Sequence, residues 1–403
     1  MQTQVAMSAS DEDFSNINIY TAPSNKILAK DLADRIENNF RGGDLIFQPV
    51  HLITPNKAQH NWLKEQLANK LGFIGNLEQH SLQTFFKELG TKLFPKKKDL
   101  PGRGRLVWNL FSELGKEEFQ SQFPKIGEYC GEDEVKRLAL AQKLAGLFQD
   151  YEQYRPNLIR SWKEGVLEDS ENENEGWQAH LYVASGFDQN FVHPNEFAKQ
   201  LKEKSKVLES YRQLYMFGDI SMTPLQLEYL KVLRNIEGFN IFIYHSNLNF
   251  KKENNPLAQN LGELAIIAED QLKELGKFSG KAEVSKSQRT GLETIQQSIL
   301  QDKDPDNLEQ DESLLIYNCF TKVREVEALY NYLVKTVDEA KGKLGARDIA
   351  VYVPNLDPYI PAIKTVFDSG TYKFPYTLVS KGFSREESFW TSLEQVLSFE
   401  EQY

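Results

Sequence analysis

The turn after the first predicted strand is where a nucleotide-binding protein would hold phosphate. It reads YTAPSNKI over Tyr20–Ile27. A phosphate loop needs glycines whose backbone N–H groups wrap the phosphates, a lysine for the outer oxygens and a Ser or Thr for Mg²⁺. This turn has no glycine, Pro23 lacks an N–H, and an isoleucine follows Lys26. We therefore predict that it starts a helix, with Ser24 as the cap, and does not grip a triphosphate. The residues of this degenerate loop are Thr21, Ala22, Pro23, Ser24, Asn25 and Lys26.

Other residue types that could perform catalysis are present but poorly spaced for it. A Mg²⁺ site at the end of the predicted strand Leu214–Phe217 would require two adjacent acidic residues, and only Asp219 is present. Bonding of Asp219 to turn amides is therefore favoured over a metal role. No two histidines stand at i, i+4, no HExxH or GxSxG occurs, and neither cysteine has a histidine nearby. We predict no catalytic residue, no metal and no cofactor.

Two groups of residues could contact nucleic acid. One is a basic run between two predicted helices, which is either solvated surface or a phosphate contact. It comprises Lys96, Lys97, Lys98, Arg103 and Arg105. The other follows the second predicted strand, at the edge where open α/β sheets bind ligands, and comprises Lys57, Asn61 and Trp62. Trp62 either packs in the core beside Leu63 or stacks on a base.

Alternating strand and helix patterns predict an α/β fold with a parallel sheet that would position these groups. The predicted strands are Ile17–Tyr20, Leu45–Thr54, Leu214–Phe217 and Asn240–His245. The predicted helices include Ser24–Asn39, with Leu28, Leu32 and Ile36 on its apolar face, Lys57–Leu71, capped by Gly72, and one that starts at Thr223.

The residues between Lys57–Leu71 and Leu214–Phe217 have almost no strand signal, and their apolar stripes predict a mostly helical insertion. The longest stripe runs from Val135 through Leu138, Ala141, Leu144, Ala145 and Phe148 to Tyr151. A polar linker and a second α/β unit follow. That unit has predicted strands at Leu314–Asn318 and Ile349–Val353 and helices at Lys322–Ala340 and from about Tyr359.

Composition excludes several classes of protein. A length of 403 residues predicts two or three domains. A net charge of −11 excludes a general electrostatic binder of nucleic acid but does not exclude local basic patches. No apolar run is long enough to span a membrane, and we do not expect the polar, acidic start to be a secretory signal. With two distant cysteines, we expect a reduced, cytoplasmic setting in which Cys130 and Cys319 are small core residues.

Several segments, in this order, resemble the RecC family, the gamma subunit of exodeoxyribonuclease V, over its N-terminal portion. The first is LITPNKAQHNWLKEQL at Leu52–Leu67, and GFIGN follows at Gly72–Asn76. The other segments are LFQDY and YRP within Lys136–Pro156, Trp162 and Trp177-Gln178, FGDISMTP at Phe217–Thr223 with Pro224, NPLA at Asn255–Ala258 with Leu261-Gly262, REVE at Arg324–Glu327, RDI at Arg347–Ile349 and DPYI at Asp357–Ile360.

The resemblance implies a helicase-like scaffold of the UvrD kind, with a RecA-like core and a decayed ATP site. It implies partnership with the alpha and beta subunits of exodeoxyribonuclease V, which unwind and degrade double-strand DNA ends for recombinational repair. The gamma chain would split the duplex and channel single-stranded DNA. By position, Lys57, Asn61, Trp62, Glu132, Asp133 and Arg137 match the region that lines this channel. An ATP-driven helicase–nuclease of AddB type and a protein-interaction module without DNA contact are the alternatives.

Composition and hydrophobic patterning set the expected boundaries, and the resemblance supplies the identity of the units. They are a disordered tail (1–16), the first RecA-like domain in two parts (17–80 and 206–275), a helical insertion (81–205), a linker (276–312) and the start of a second RecA-like domain (313–403). The family is about three times longer than this chain and ends in a nuclease-like domain.

Overall fold

A computed structural model describes residues 16–22, 24–40, 49–72, 75–99, 102–169, 171–211, 213–246, 256–281, 290–301 and 311–378. The chain divides into two compact units. The first comprises Met1–Gln288 and Gln296–Pro305, and the second comprises Arg289–Ile295 and Asp306–Tyr403. Most of the predicted tail, with Pro23 and residues 379–403, lies outside the described residues.

The first unit is built on a six-stranded sheet in which all pairings are parallel. Its strands are β1 (Ile17–Ala22), β2 (Val50–Ile53), β3 (Leu77–His80), β4 (Gln213–Phe217), β5 (Asn240–Ser246) and β6 (Lys277–Lys281). They lie side by side in the order β3-β2-β4-β5-β1-β6. The predicted parallel α/β sheet is therefore confirmed.

The helices fall into three stretches of the chain. The first two flank the early strands: α1 (Asn25–Phe40) and α2 (Lys57–Leu71). The next run spans α3 (Leu82–Leu93), α4 (Arg103–Leu114), α5 (Glu117–Gln122), α6 (Pro124–Cys130), α7 (Glu134–Tyr154), α8 (Pro156–Lys163), α9 (Glu173–Ala184) and α10 (Pro194–Glu203). The last are α11 (Pro224–Arg234), α12 (Pro256–Leu261), α13 (Glu263–Leu275), α14 (Gly291–Gln301), α15 (Lys322–Glu339) and α16 (Ile360–Ser369), and short 3₁₀ helices occupy Pro95–Asp99, Phe187–Gln189, Ser205–Tyr211, Ala346–Asp348 and Asp357–Tyr359.

Both faces of the sheet are covered, as expected of a parallel sheet. Side chains alternate along each strand, so Ile241 and Ile243 of β5 face one layer while Phe242 and Tyr244 face the other. Helices α1 and α2 pack on the Phe242 side, where the predicted apolar face of α1 is fully buried. Helices α3, α10, α11 and α13 pack on the Ile241 side.

The insertion has an apolar core of its own, built from α4, α5, α7, α8 and α9. Phe148 and Trp162 lie near its centre. Two details differ from the prediction. Helices α3 and α10 fall within the predicted insertion, but their apolar residues pack in the core on the Ile241 side of the sheet. Val135 was placed on the buried stripe of α7, yet it is 78% exposed because it stands in the first turn, beyond the packed part of the helix.

The sequence did not predict the two edge strands. β3 lies beside β2, and β6 lies beside β1 within the segment predicted to be a linker. Their sequences, LEQH and KFSGK, are polar because an edge strand has only one neighbour and is less enclosed. The second predicted strand is also shorter than expected: the structure assigns Val50–Ile53, and residues 45–48 lie outside the described residues.

The second unit packs α15 against α16 around a small core that includes Val326, Leu333 and Phe367. The predictions of strands at Leu314–Asn318 and Ile349–Val353 were wrong for the structure described: no strand forms within residues 311–378. A strand requires a neighbour for its backbone N–H and C=O groups. Both segments instead leave large side chains in water, including Ile316 at 89% and Tyr352 at 93% exposure.

Candidate functional site

The turn between β1 and α1 is compact. β1 ends at Ala22 and α1 begins at Asn25, so little backbone is available to surround a ligand. The Ser24 hydroxyl accepts a 3.3 Å hydrogen bond from the backbone N–H of Lys26, and the Ser24 carbonyl accepts one from Ile27 at 3.1 Å. Ser24 therefore caps the helix, as predicted, while the Lys26 side chain is exposed.

The carboxyl ends of β4 and β5 meet beside this turn. The Ser246 hydroxyl donates to Asp219 Oδ1 at 2.6 Å, and His245 Nδ1 lies 3.0 Å from the same oxygen. Asp219 therefore bonds to a neighbouring strand, and not to turn amides as the sequence suggested. Burial lowers the pKa of His245, although the Asp219 carboxylate opposes this shift. Ser246 and His245 both contact the same carboxylate oxygen of Asp219. They are therefore not arranged as a serine–histidine relay, in which the serine hydroxyl donates to the histidine.

Gly218 brings α2 close to this edge. Its φ of +98° favours glycine, and a Cβ at this position would clash with the Gln59 side chain. On the same helix, Lys57 and Asn61 are exposed one turn apart. Trp62 is half-buried, with its ring 6.2 Å from that of Phe217 and packed on the apolar core. Trp62 therefore packs partly against the core, which agrees with the core-packing interpretation of this residue.

The basic run does not act as one group. Lys97 Nζ donates to the carbonyls of Gln189 at 2.6 Å and Phe191 at 3.1 Å, and burial lowers its pKa. This lysine holds the 3₁₀ turn that follows α9. Lys96, Arg103 and Arg105 are exposed, and the Lys98 side chain lies outside the described residues.

The insertion residues marked by the resemblance have structural contacts. Asp133 caps α7 by accepting hydrogen bonds from Val135 and Lys136 at 3.0 and 3.1 Å. The Arg137 guanidinium lies 4.3 Å from the centre of the Phe111 ring and 3.3 Å from Glu134 Oε1. Glu132 is exposed. No hydrogen bond or ion pair among the described residues joins this group to Lys57, Asn61 or Trp62.

Sequence reasoning missed an open cavity of about 800 Å³ between the insertion and the helices under the sheet. The end of α7 and the start of α8 line one side of it, and α11 and α13 line the other. Its charged and polar lining includes Arg155, Arg160, His193, Glu228, Gln271 and Glu274. The available signal was the segment Tyr154-Arg155-Pro156, where one helix ends and the next begins.

Together, the fold and the sheet edge define an α/β protein with a covered parallel sheet, a helical insertion and no glycine-rich phosphate loop after β1. The family model described as "RecC, N-terminal domain" matches residues 17–247, which include this sheet edge and the insertion. The chain belongs to this family.

Curated relatives agree with this assignment. The chain is 23% identical to "RecBCD enzyme subunit RecC" of Buchnera aphidicola subsp. Acyrthosiphon pisum over 397 residues, which cover 88% of this chain and 36% of the relative. It is 24% identical to the protein of that name from Escherichia coli K12, with 80% and 36% covered. The Mycolicibacterium smegmatis protein is 23% identical, with 79% and 32% covered. The chain thus spans about a third of the length of these relatives. No helix among the described residues is both long and apolar enough to cross a membrane.

Proposed function

We propose that this chain is a DNA-handling scaffold subunit of a RecBCD-type exodeoxyribonuclease V. It would split and channel DNA strands during double-strand break processing for recombinational repair, in a complex with the alpha and beta subunits. The observation that carries this proposal is the family match over 17–247, supported by relatives named as RecBCD enzyme subunits. The strands of a DNA end and their single-stranded products would be its ligands.

The core proposed for this subunit is RecA-like, with a decayed ATP site. β5 lies between β1 and β4, so the carboxyl ends of β1 and β4 lie on either side of β5 at the edge of the sheet where ligands bind in open α/β folds. An ATPase of the RecA type would place its phosphate loop and its Mg²⁺-binding acid at these two ends. Here the first end is a glycine-free helix start, and the second holds a lone Asp219 bonded to Ser246. The second unit, with α15 and α16, would be the start of a second RecA-like domain.

The exposed members of the basic run are the best-supported phosphate contacts. Lys96, Arg103 and Arg105 present charge to solvent on a chain that is acidic overall. Lys57 and Asn61 offer a second exposed pair at the carboxyl edge of the sheet. Lys97, Asp133 and Arg137 would instead support the surface, because their polar atoms already bond within the protein.

Reconstitution tests the function directly. Co-expressed with the alpha and beta subunits from its source organism, the chain should co-purify with them and permit unwinding of blunt DNA ends. Omitting it should abolish unwinding. A complex that unwinds DNA equally well without the chain, or failure to co-purify at all, would reject the scaffold role.

A charge-neutralising variant of this complex tests the DNA contact. Changing Lys96, Arg103 and Arg105 to glutamine should weaken forked-DNA binding and flatten its logarithmic salt dependence by about 2, because each lost phosphate contact to single strands contributes roughly 0.7. The matched control replaces the exposed Lys199, Lys202 and Lys206. Equal effects of the two variants would contradict a specific contact at the basic run, and no DNA binding by the complex would favour the protein-interaction alternative.

Nucleotide binding separates the scaffold from an AddB-type motor. We expect no saturable binding of Mg-ATP to the purified chain, and no change in Lys26→Ala, because the turn at Ser24 offers a helix cap and no glycine-rich loop. Isothermal titration calorimetry measures this, with the exposed Lys30→Ala as the control. Micromolar binding that only Lys26→Ala weakens would establish a working ATP site.

A further inference from the structure

Three side chains capable of binding a metal meet at one edge of the sheet, away from the β1–α1 turn. In the pairing of β2 with β3, His51 stands opposite Glu78 and Ile53 stands opposite His80. Side chains two apart on a strand share a face, so His51, Glu78 and His80 all project to the side covered by α3. The three residues have no helical spacing typical of a metal site, and the strand register brings them together.

The distances between their donor atoms suit coordination of a single ion. His51 Nδ1 lies 3.2 Å from His80 Nε2 and 3.4 Å from Glu78 Oε2, and His80 Nε2 lies 3.9 Å from that oxygen. Tetrahedral zinc with bonds of about 2.0–2.1 Å separates its ligand atoms by about 3.3 Å. We propose that His51, Glu78 and His80 form a binding site for Zn²⁺ or a similar late first-row divalent ion.

The burial of the three ligands fits an ion that enters from solvent. The side chains of His51 and His80 are 4% and 6% exposed, whereas the Glu78 side chain is 52% exposed. Glu78 therefore borders a path to the site from water. Two imidazoles and one carboxylate leave the fourth tetrahedral position for water, as in zinc sites with three protein ligands.

A second carboxylate orients one of the ligands. Glu88 of α3 places Oε2 3.5 Å from His80 Nδ1, on the side of the ring away from His51. A proton held on Nδ1 by Glu88 leaves the Nε2 lone pair directed at the site. Such carboxylate–histidine–metal arrangements fix the tautomer and raise the basicity of the ligand. Glu88 is thus a positioning residue for the proposed ion.

The bound ion would stabilise the edge of the sheet where β3 pairs with β2. β3 pairs only with β2 among the described strands, and its last residue, His80, leads into α3 through Ser81. An ion shared by His51 and His80 would join β2 to the start of α3. Because the unfolded chain does not hold these residues together, the ion would stabilise the folded state by a free energy that rises with the logarithm of its affinity.

Cobalt titration tests the proposal on the whole chain, purified without a histidine tag. Co²⁺ should bind with one equivalent, give the intense visible absorption of a tetrahedral site, and be displaced by Zn²⁺. Zn²⁺ should also raise the melting temperature of the protein, and EDTA should reverse the increase.

Four variants make the test specific. Glu78→Gln changes a side chain that is 52% exposed, and it should weaken Co²⁺ binding at least 10-fold, while His80→Gln should abolish the absorption. Glu88→Gln should weaken binding by about 10- to 100-fold. The control Glu209→Gln, an exposed site outside the cluster, should bind like the parent. The absence of a tetrahedral spectrum at millimolar Co²⁺, or equal affinity in Glu78→Gln and the parent, would show that the two histidines only hydrogen-bond to each other and would overturn the proposal.

Discussion

Replacing Glu152 with glutamine is expected to raise the free energy of unfolding by about 3 kcal/mol at pH 8, with almost no effect at pH 4.5. The Glu152 carboxyl group lies inside the insertion, where Oε1 accepts a 2.9 Å hydrogen bond from the Tyr182 hydroxyl. Burial raises its pKa from 4.5 to about 7, against the opposing effects of Tyr182, Lys163 and Lys97. Glutamine keeps the shape and the acceptor but carries no charge at any pH.

The sign follows from the raised pKa. Below pH 4.5 the glutamic acid is protonated in both the folded and the unfolded protein, so burial carries no charge penalty. Between pH 4.5 and about 7 the unfolded chain loses its proton first, and the folded state becomes progressively less favoured. Above pH 7 the cost is constant, and this shift corresponds to about 3 kcal/mol.

Urea denaturation of the parent and the variant at pH 4.5, 6 and 8 measures this difference. The control Asp150→Asn lies on the same helix but is exposed, so its effect should stay within about 0.5 kcal/mol at each pH. A Glu152→Gln difference that does not vary with pH, or that decreases from pH 4.5 to pH 8, would show that the carboxyl group is not buried as described.

The features that the sequence predicted well are those set by local spacing. The bounds of α2, Lys57–Leu71, and its Gly72 cap agree with the structure, and Gly72 has a φ of +77°. The buried strands β4 and β5 were recognised because each is a continuous apolar run bounded by turn residues. Such signals lie within one segment and do not depend on which segments become neighbours.

The features that the sequence missed depend on neighbours. The LEQH segment of β3 becomes a strand only because β2 provides partners for its backbone hydrogen bonds. That pairing brings Glu78 and His80 close to His51. Lys97 was predicted to be either solvated or bound to phosphate. It instead reaches two carbonyls more than 90 positions away, a partner set that no local pattern encodes. The site residues marked by the resemblance remain predictions, because position in a family does not settle which side chains meet DNA.

Replacing Phe148 with alanine is expected to destabilise the insertion by about 3–5 kcal/mol, the usual cost of a large cavity in a packed aromatic core. Phe148 is fully buried, and its ring centre lies 5.4 Å from those of Tyr182 and Phe187 and 6.3 Å from that of Trp162. No single neighbour can fill the space, since these rings belong to three separate elements.

Urea denaturation followed by tryptophan fluorescence reports this loss, because Trp108, Trp162 and Trp177 all lie in the insertion. Hydrogen exchange should accelerate in α4, α7 and α8, and much less in the strands, which have a separate core. The control Val135→Ala, on the same helix but 78% exposed, should change stability by less than about 0.5 kcal/mol. If Phe148→Ala also cost less than about 1 kcal/mol, the stability of the insertion would not depend on the aromatic cluster around Phe148.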